Sequence, residues 1–210
     1  MLKRIFDVFF SFFGLLLIMP ILVVVSILII ITSKGGFFYK QIRVGKNNKD
    51  FKILKFRTMH VNADRLGLLT VGGRDPRITS IGYYLRKFKL DELPQLINVF
   101  IGDMSFVGPR PEVRKYVSLY SDKQLKVLDV KPGITDLASI EFRNENEILS
   151  NQENPDQYYI DVIMPKKLDI NLKYIAKRSL LNDVKVISTT ALSCQGEMIT
   201  SLGKKIPLIQ

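Results

Sequence analysis

The chain has 210 residues, of which 47% are hydrophobic and 24% charged, a balance that excludes a disordered or collagen-like polypeptide and fits one domain with an appendage. One cysteine, Cys194, and one histidine, His60, exclude a disulfide-stapled scaffold and a Cys/His zinc centre. The formal net charge of +11 points to anionic partners, whether nucleic acid, phospholipid or a phosphate-bearing substrate, without choosing among them.

From Val8 to Ser33 no residue is charged, and Phe, Leu, Ile and Val make up nearly all of the stretch. About 20 apolar residues suffice to cross the hydrocarbon core as a helix. The run is too long for the apolar core of a signal peptide and lacks a small-residue cleavage site, so it reads as a retained membrane segment. Pro20 lies near its middle. A kinked spanning helix tolerates such a proline. Basic residues at both flanks, Lys3 and Arg4 before and Lys34, Lys40, Arg43 and others up to Arg57 after, equally suit a helix that enters, breaks at Pro20 and returns to the same face. Either way, the downstream cluster puts the rest of the chain in the cytoplasm, against anionic lipid.

Residues 36–44 and 50–57 are rich in β-formers and flank a turn at 45–48, which predicts a hairpin. A loop with Gly72, Gly73, Asp75 and Pro76 follows. Leu93, Leu96, Ile97, Phe100 and Ile101 recur with helical period. Two prolines bracket Arg110 and make 107–111 non-helical. Lys131-Pro132-Gly133 reads as a turn, and Leu172, Ile175, Leu180, Val184, Ile187 and Ala191 as one more amphipathic helix. The expected fold is α+β, mostly helical, lying on the membrane surface.

Four groups of residues bear on chemistry. Asp91 and Glu92 open the periodic helix, where acidic residues serve as caps and complement the helix dipole. The same dipole, with Arg86, Lys87 and Lys89 nearby, would keep Asp91 ionised as a nucleophile toward phosphorus. Glu92 could then hold Mg²⁺, a hard cation bound by one or two carboxylates plus substrate phosphates. Arg110, fixed between Pro109 and Pro111, is either a solvated turn residue or a pre-organised phosphate fork. The basic series Arg74, Arg77, Arg86, Lys87 and Lys89 suits lipid or a diphosphate. Asp156 follows Pro155 at a helix start.

The order of these pieces is more specific than any one of them. A membrane segment broken by proline, KFRTM at 55–59, LDELPQL at 90–96, NVFIGDMSFVGPRPE at 98–112, KPGIT at 131–135 and a later Asp-X-Tyr-Tyr together resemble the monotopic phosphoglycosyl transferases, bacterial enzymes that initiate surface-glycan assembly. The resemblance covers essentially the whole chain and is densest over 51–135. It implies a re-entrant membrane hairpin broken at Pro20 over 1–34 and a catalytic domain over 35–210, on the cytoplasmic face of the bacterial inner membrane. By position, it implies Asp91 as nucleophile, Glu92 as Mg²⁺ ligand, Arg86, Arg110 and Arg57 on substrate phosphates, and Asp156, Arg143 and Asn144 on the nucleotide donor.

The implied reaction is ping-pong: Asp91 attacks the sugar-linked phosphate of a UDP-sugar, UMP leaves, and a polyprenyl (undecaprenyl) phosphate takes the phosphosugar from the aspartyl intermediate. Mg²⁺ is the implied cofactor. Membrane lipid, a second copy of the chain and downstream glycosyltransferases are the further partners. Nucleic acid is not among them, because headgroups are the nearer anion for basic residues beside a lipid segment.

The sequence departs from the family pattern in two places. Met19 precedes Pro20 where a serine is common, and Asp136, Ser139 and Phe142 replace the usual residues after KPGIT, which bears on donor identity. A non-covalent glycosyltransferase is disfavoured by the lack of a metal-binding Asp-X-Asp and a nucleotide-binding sheet, and no P-loop or Gly-X-Gly-X-X-Gly occurs. An inactive membrane scaffold would leave Asp91 only a capping role.

Overall fold

The computed structural model describes residues 2–63, 67 and 75–201, with side chains as far as 193. Leu2–Thr32 form one helix, α1, of 31 residues. It is the helix among the described residues long and apolar enough to cross a membrane. Pro20, where a break is expected, lies inside α1: it removes one amide donor, and helical residues continue on both sides of it.

Polar bonds pin the start of α1 to the remainder of the chain. Lys3 Nζ donates to Val107 O at 3.0 Å and pairs with Asp183. Arg4 donates to the carbonyls of Val99 (2.6 Å) and Phe100 (2.8 Å). The buried Asp7 accepts from Ser105 Oγ at 3.1 Å and Phe106 N at 3.2 Å. Further along, Leu22, Val25 and Ile29 form a buried cluster with Phe56 and Leu85. The opposite face is apolar and exposed, with Leu17 at 80% and Ile31 at 75%.

The expected hairpin forms. Strands β1 (Phe38–Val44) and β2 (Asp50–Phe56) pair antiparallel from Phe38 opposite Phe56 to Val44 opposite Asp50. Asn47 and Asn48 take the positive φ of its turn, a conformation asparagine tolerates. Helix α2 (Ser80–Lys87) starts at Thr79, whose hydroxyl accepts from Gly82 N at 3.0 Å. The Gly72–Gly73 loop and Arg74 lie outside the described residues.

Helix α3 (Gln95–Ile101) is shorter than expected and faces the other way. Its buried residues are Gln95, Asn98 and Val99, whereas Ile101 is 60% exposed. Asn98 serves as an extra strand partner: its Oδ1 accepts from Leu54 N at 2.9 Å and its Nδ2 donates to Lys52 O at 2.8 Å. The apolar stripe turns instead toward α1, where Leu96 lies 3.5 Å from a Cβ placed on Gly14 and Phe100 meets Phe12.

Strand β3 (Ser105–Val107) pairs in parallel with β4 (Gly133–Thr135), so the expected turn at 131–133 leads into a strand. The two cross at glycines: a Cβ on Gly133 would lie 2.1 Å from Gly108 N. Short helices α4 (Arg114–Val117), α5 (Asp122–Leu125), α6 (Leu137–Glu141), α7 (Glu145–Ser150) and α8 (Pro155–Tyr158) surround a core of Tyr116, Val127, Leu149, Tyr159 and Ile163. The single last helix expected from periodicity is two, α9 (Met164–Ala176) and α10 (Leu180–Ser201), separated at 177–179. The class is α+β and mostly helical, as expected.

Candidate active site

Asp91 and Glu92 do not cap α3. They lie in a tight turn, Leu90–Glu92, entered through Lys89 in left-handed conformation, and neither caps a helix with its side chain. The turn is packed between α2 and β2, which buries Asp91 to 8% exposure. Lys55, projecting from β2, donates to Glu92 Oε1 at 2.8 Å, and Arg110 pairs with the same oxygen. Arg110 follows β3 at the glycine crossing, where Gly133 N bonds Pro109 O at 3.1 Å. The prolines and the strand pair thus aim one guanidinium at one carboxylate.

The two carboxyls are tuned apart. Burial pushes the Asp91 carboxyl above its usual range, and Lys55 is the strongest opposing charge, ahead of Arg86 and Lys89. Burial also opposes charge on Glu92, but Arg110 and Lys55 outweigh it and hold that carboxyl well below the usual range. The expectation that a helix dipole keeps Asp91 ionised is corrected: flanking lysine and arginine side chains oppose a burial penalty instead.

Three cavities meet here. A polar one of about 260 Å³ is lined by Asp91, Glu92, Lys55, Arg86 and Arg110 and, from α6, α7 and the link between them, by Ser139, Phe142, Arg143 and Asn146. An apolar groove of about 300 Å³ shares Lys89, Glu92, Arg110, Ser139 and Arg143 with it and continues along Leu93, Leu96, Phe106, Ile134 and Ile140. A third cavity, about 200 Å³, lies on the other flank of Asp91 and shares Lys55, Arg86 and Asp91 with the polar one.

Asp91, Glu92, Arg86, Arg110 and Arg143 therefore come together around the polar cavity. Arg57 lines the third cavity, its Nε donating to Gly36 O at 2.9 Å. Asn144 is exposed at the start of α7 and lines none of these three cavities. Asp156 also stands apart, bound by Lys115 Nζ at 2.6 Å and Tyr116 OH at 2.7 Å. Tyr116 packs on Tyr159, whose hydroxyl bonds Glu112, and Glu112 pairs with Arg43 at 3.5 Å, so Asp156 bears on the Pro-Arg-Pro segment through this chain. Pro20 lies within α1.

Sequence reasoning missed Lys55 as a site residue. Its only signal was a lysine within a β-rich KFRTM segment. Among the described residues no three or more His, Cys, Asp or Glu gather as a metal cluster. Glu92, half-buried beside the polar cavity with its carboxyl held well below the usual range by Arg110 and Lys55, has the hard-oxygen chemistry that would suit Mg²⁺ with phosphates and water completing the shell.

The sequence model of the family described as bacterial sugar transferase matches residues 1–196. An uncharacterized sugar transferase of Bacillus subtilis, EpsL, is 36% identical over 189 residues, covering 90% of this chain and 85% of that protein. The UDP-glucose:undecaprenyl-phosphate glucose-1-phosphate transferase of Klebsiella pneumoniae is 37% identical over 193 residues, 90% of this chain and 39% of that protein. An Aeromonas hydrophila UDP-N-acetylgalactosamine-undecaprenyl-phosphate N-acetylgalactosaminephosphotransferase is 38% identical over 143 residues, 66% of this chain and 34% of that protein. The chain thus spans well under half the length of these two relatives with named substrates.

Proposed function

The chain belongs to the bacterial sugar transferase family, and from that premise we propose that it is a phosphoglycosyl transferase moving a sugar-1-phosphate from a UDP-sugar to a membrane polyprenyl phosphate. One observation carries the reading: a buried aspartate and a half-buried glutamate held ionised by Arg110 and Lys55, side by side, at the junction of a cation-rich polar cavity and an apolar groove. The polar side suits a diphosphate, whose charge needs guanidinium and ammonium partners. The apolar side suits a polyprenyl chain. Leu96 and Phe106, both in the groove wall, pack on α1, so the groove runs toward the element that meets lipid.

Asp91 is the nucleophile of this mechanism. Its carboxylate attacks the sugar-linked phosphorus, the bond to the UMP oxygen breaks, and UMP leaves with the electron pair. The polyprenyl phosphate oxygen then attacks the same phosphorus and regenerates the carboxylate. Arg110, Arg86 and Lys55 neutralise the transferring phosphoryl oxygens, and Lys55 also favours the charged form of Asp91. Glu92 and the substrate phosphates would hold Mg²⁺, which when bound supplies further neutralisation of phosphoryl charge.

The contacts of α1 support a monotopic, re-entrant seat. Lys3, Arg4 and Asp7 at one end and Ile29 toward the other engage the same domain, so a domain on one side of the membrane draws both ends to that side. The exposed apolar face then enters the lipid, and the basic residues after Ser33 lie against cytoplasmic headgroups.

The test is the nucleotide released by protein in nanodiscs given Mg²⁺, undecaprenyl phosphate and a panel of UDP-sugars. UMP, with a phosphosugar adduct on Asp91 by intact mass and none in Asp91→Asn, is expected. UDP as the product would reject the reading.

A further inference from the structure

Both displacements in the reaction proposed above occur at one phosphorus atom, and in each the entering and leaving oxygens stand in line. Asp91 enters opposite UMP in the first step and leaves opposite the polyprenyl phosphate in the second. The leaving nucleotide and the arriving lipid phosphate therefore occupy the same position in turn. The sugar, bonded off that line, stays throughout.

Of the three cavities described, the one that receives the lipid phosphate must open to the apolar groove. The polar cavity does so, sharing five lining residues with it, among them Glu92 and Arg110. The third cavity shares no lining residue with the groove, yet it meets the polar cavity at Asp91 itself. Its walls differ in kind. Tyr39, Gln41 and Arg43 alternate along β1 and so face one way, and Thr58, Met59 and His60 close the space from the end of β2 onward. Of its cations, Arg43 holds Gln41 Oε1 and Pro111 O, Arg57 holds Gly36 O through Nε, and Arg77 holds Asp75, while Lys55 and Arg86 are shared with the polar cavity and belong to the Asp91 end. Away from Asp91 the wall carries the hydrogen-bonding side chains of Gln41, Thr58, His60 and Asn62, groups that read sugar hydroxyls.

Resting on the phosphoglycosyl transferase reading, we propose that the β1-side cavity beside Asp91 is the hexose site and sets sugar specificity, while the polar cavity takes UMP and the polyprenyl phosphate alternately. The sugar then stays anchored while its phosphate changes partners.

Two measurements on the full chain in nanodiscs test this. In steady state, UMP is expected to inhibit competitively against undecaprenyl phosphate, and Gln41→Ala and His60→Ala to change relative kcat/KM across a UDP-hexose panel by about tenfold, the scale of one neutral hydrogen bond. Both variants should leave the inhibition constant of UMP against undecaprenyl phosphate as in the parent. His60 is exposed, so that variant keeps the test open if Gln41→Ala fails to fold. Noncompetitive UMP inhibition, or variants that raise KM for undecaprenyl phosphate while sugar preference stays fixed, would overturn the assignment. Release of UDP with no aspartyl adduct would instead sink the underlying reaction, and the hexose site with it.

Discussion

Two adjacent carboxyls behave oppositely because their neighbours differ. Glu92 has two cations within bonding distance, whereas Asp91 is mostly buried with its countercharges farther off. Their effects on stability oppose each other. Glu92, held low, favours the fold above its unfolded pKa and loses that contribution on acidification through its folded value. Asp91, held high, favours the fold at low pH and loses that contribution as pH rises through its folded value. In the proposed mechanism Asp91 must be ionised to attack, so the acid limb of kcat/KM is expected above the ordinary aspartate value of about 3.9. Lys55→Met, which removes the strongest opposing charge, should move that limb further up. A pH–rate profile checks both, and a limb unmoved in the variant would separate Lys55 from Asp91 tuning.

The parallel pair β3–β4 positions Arg110 through glycines that leave no room for a side chain. In Gly133→Ala the added methyl meets backbone at 2.1 Å, and a destabilisation of about 4 kcal/mol is expected, read as a fall in Tm in detergent. Element by element, the sequence was a good guide where period and turn chemistry act locally, as in the hairpin. It misled where partners were non-local. The apolar stripe of α3 was legible, but its direction was not, because the stripe meets α1 while Asn98 bonds the β2 backbone. Lys131-Pro132-Gly133 carries turn residues, yet the glycine is there for a strand crossing. That Asp91 and Glu92 stand together beside a cation-rich cavity agrees with the motif that singled them out. The cavities were not legible, because their walls come from β1, β2, α6 and α7, far apart in the sequence.

At the scale of the whole molecule, α1 is a part of the domain rather than a tether. Its first turns are held by Asp183, Val99, Phe100 and Ser105, and its second half is built into the cluster around Phe56 and Leu85. Single cysteines placed at Leu2 and at Lys34 in a Cys194→Ser background should therefore react with an impermeant reagent from the same side of sealed vesicles. Reaction from opposite sides would establish a span and refute re-entry.

The clamp of Arg4 on the last carbonyls of α3 has a mechanical consequence. Helix α3 begins three residues after Glu92, so the long apolar helix and the turn that carries Asp91 and Glu92 are geared to each other. The height of the dyad above the acyl chains is then set by how deep α1 rides. On the re-entrant seat proposed above, bilayer thickness and lateral pressure become variables of the rate law, as substrate concentration is, and a thinner or stiffer membrane would retune turnover with no change in the protein.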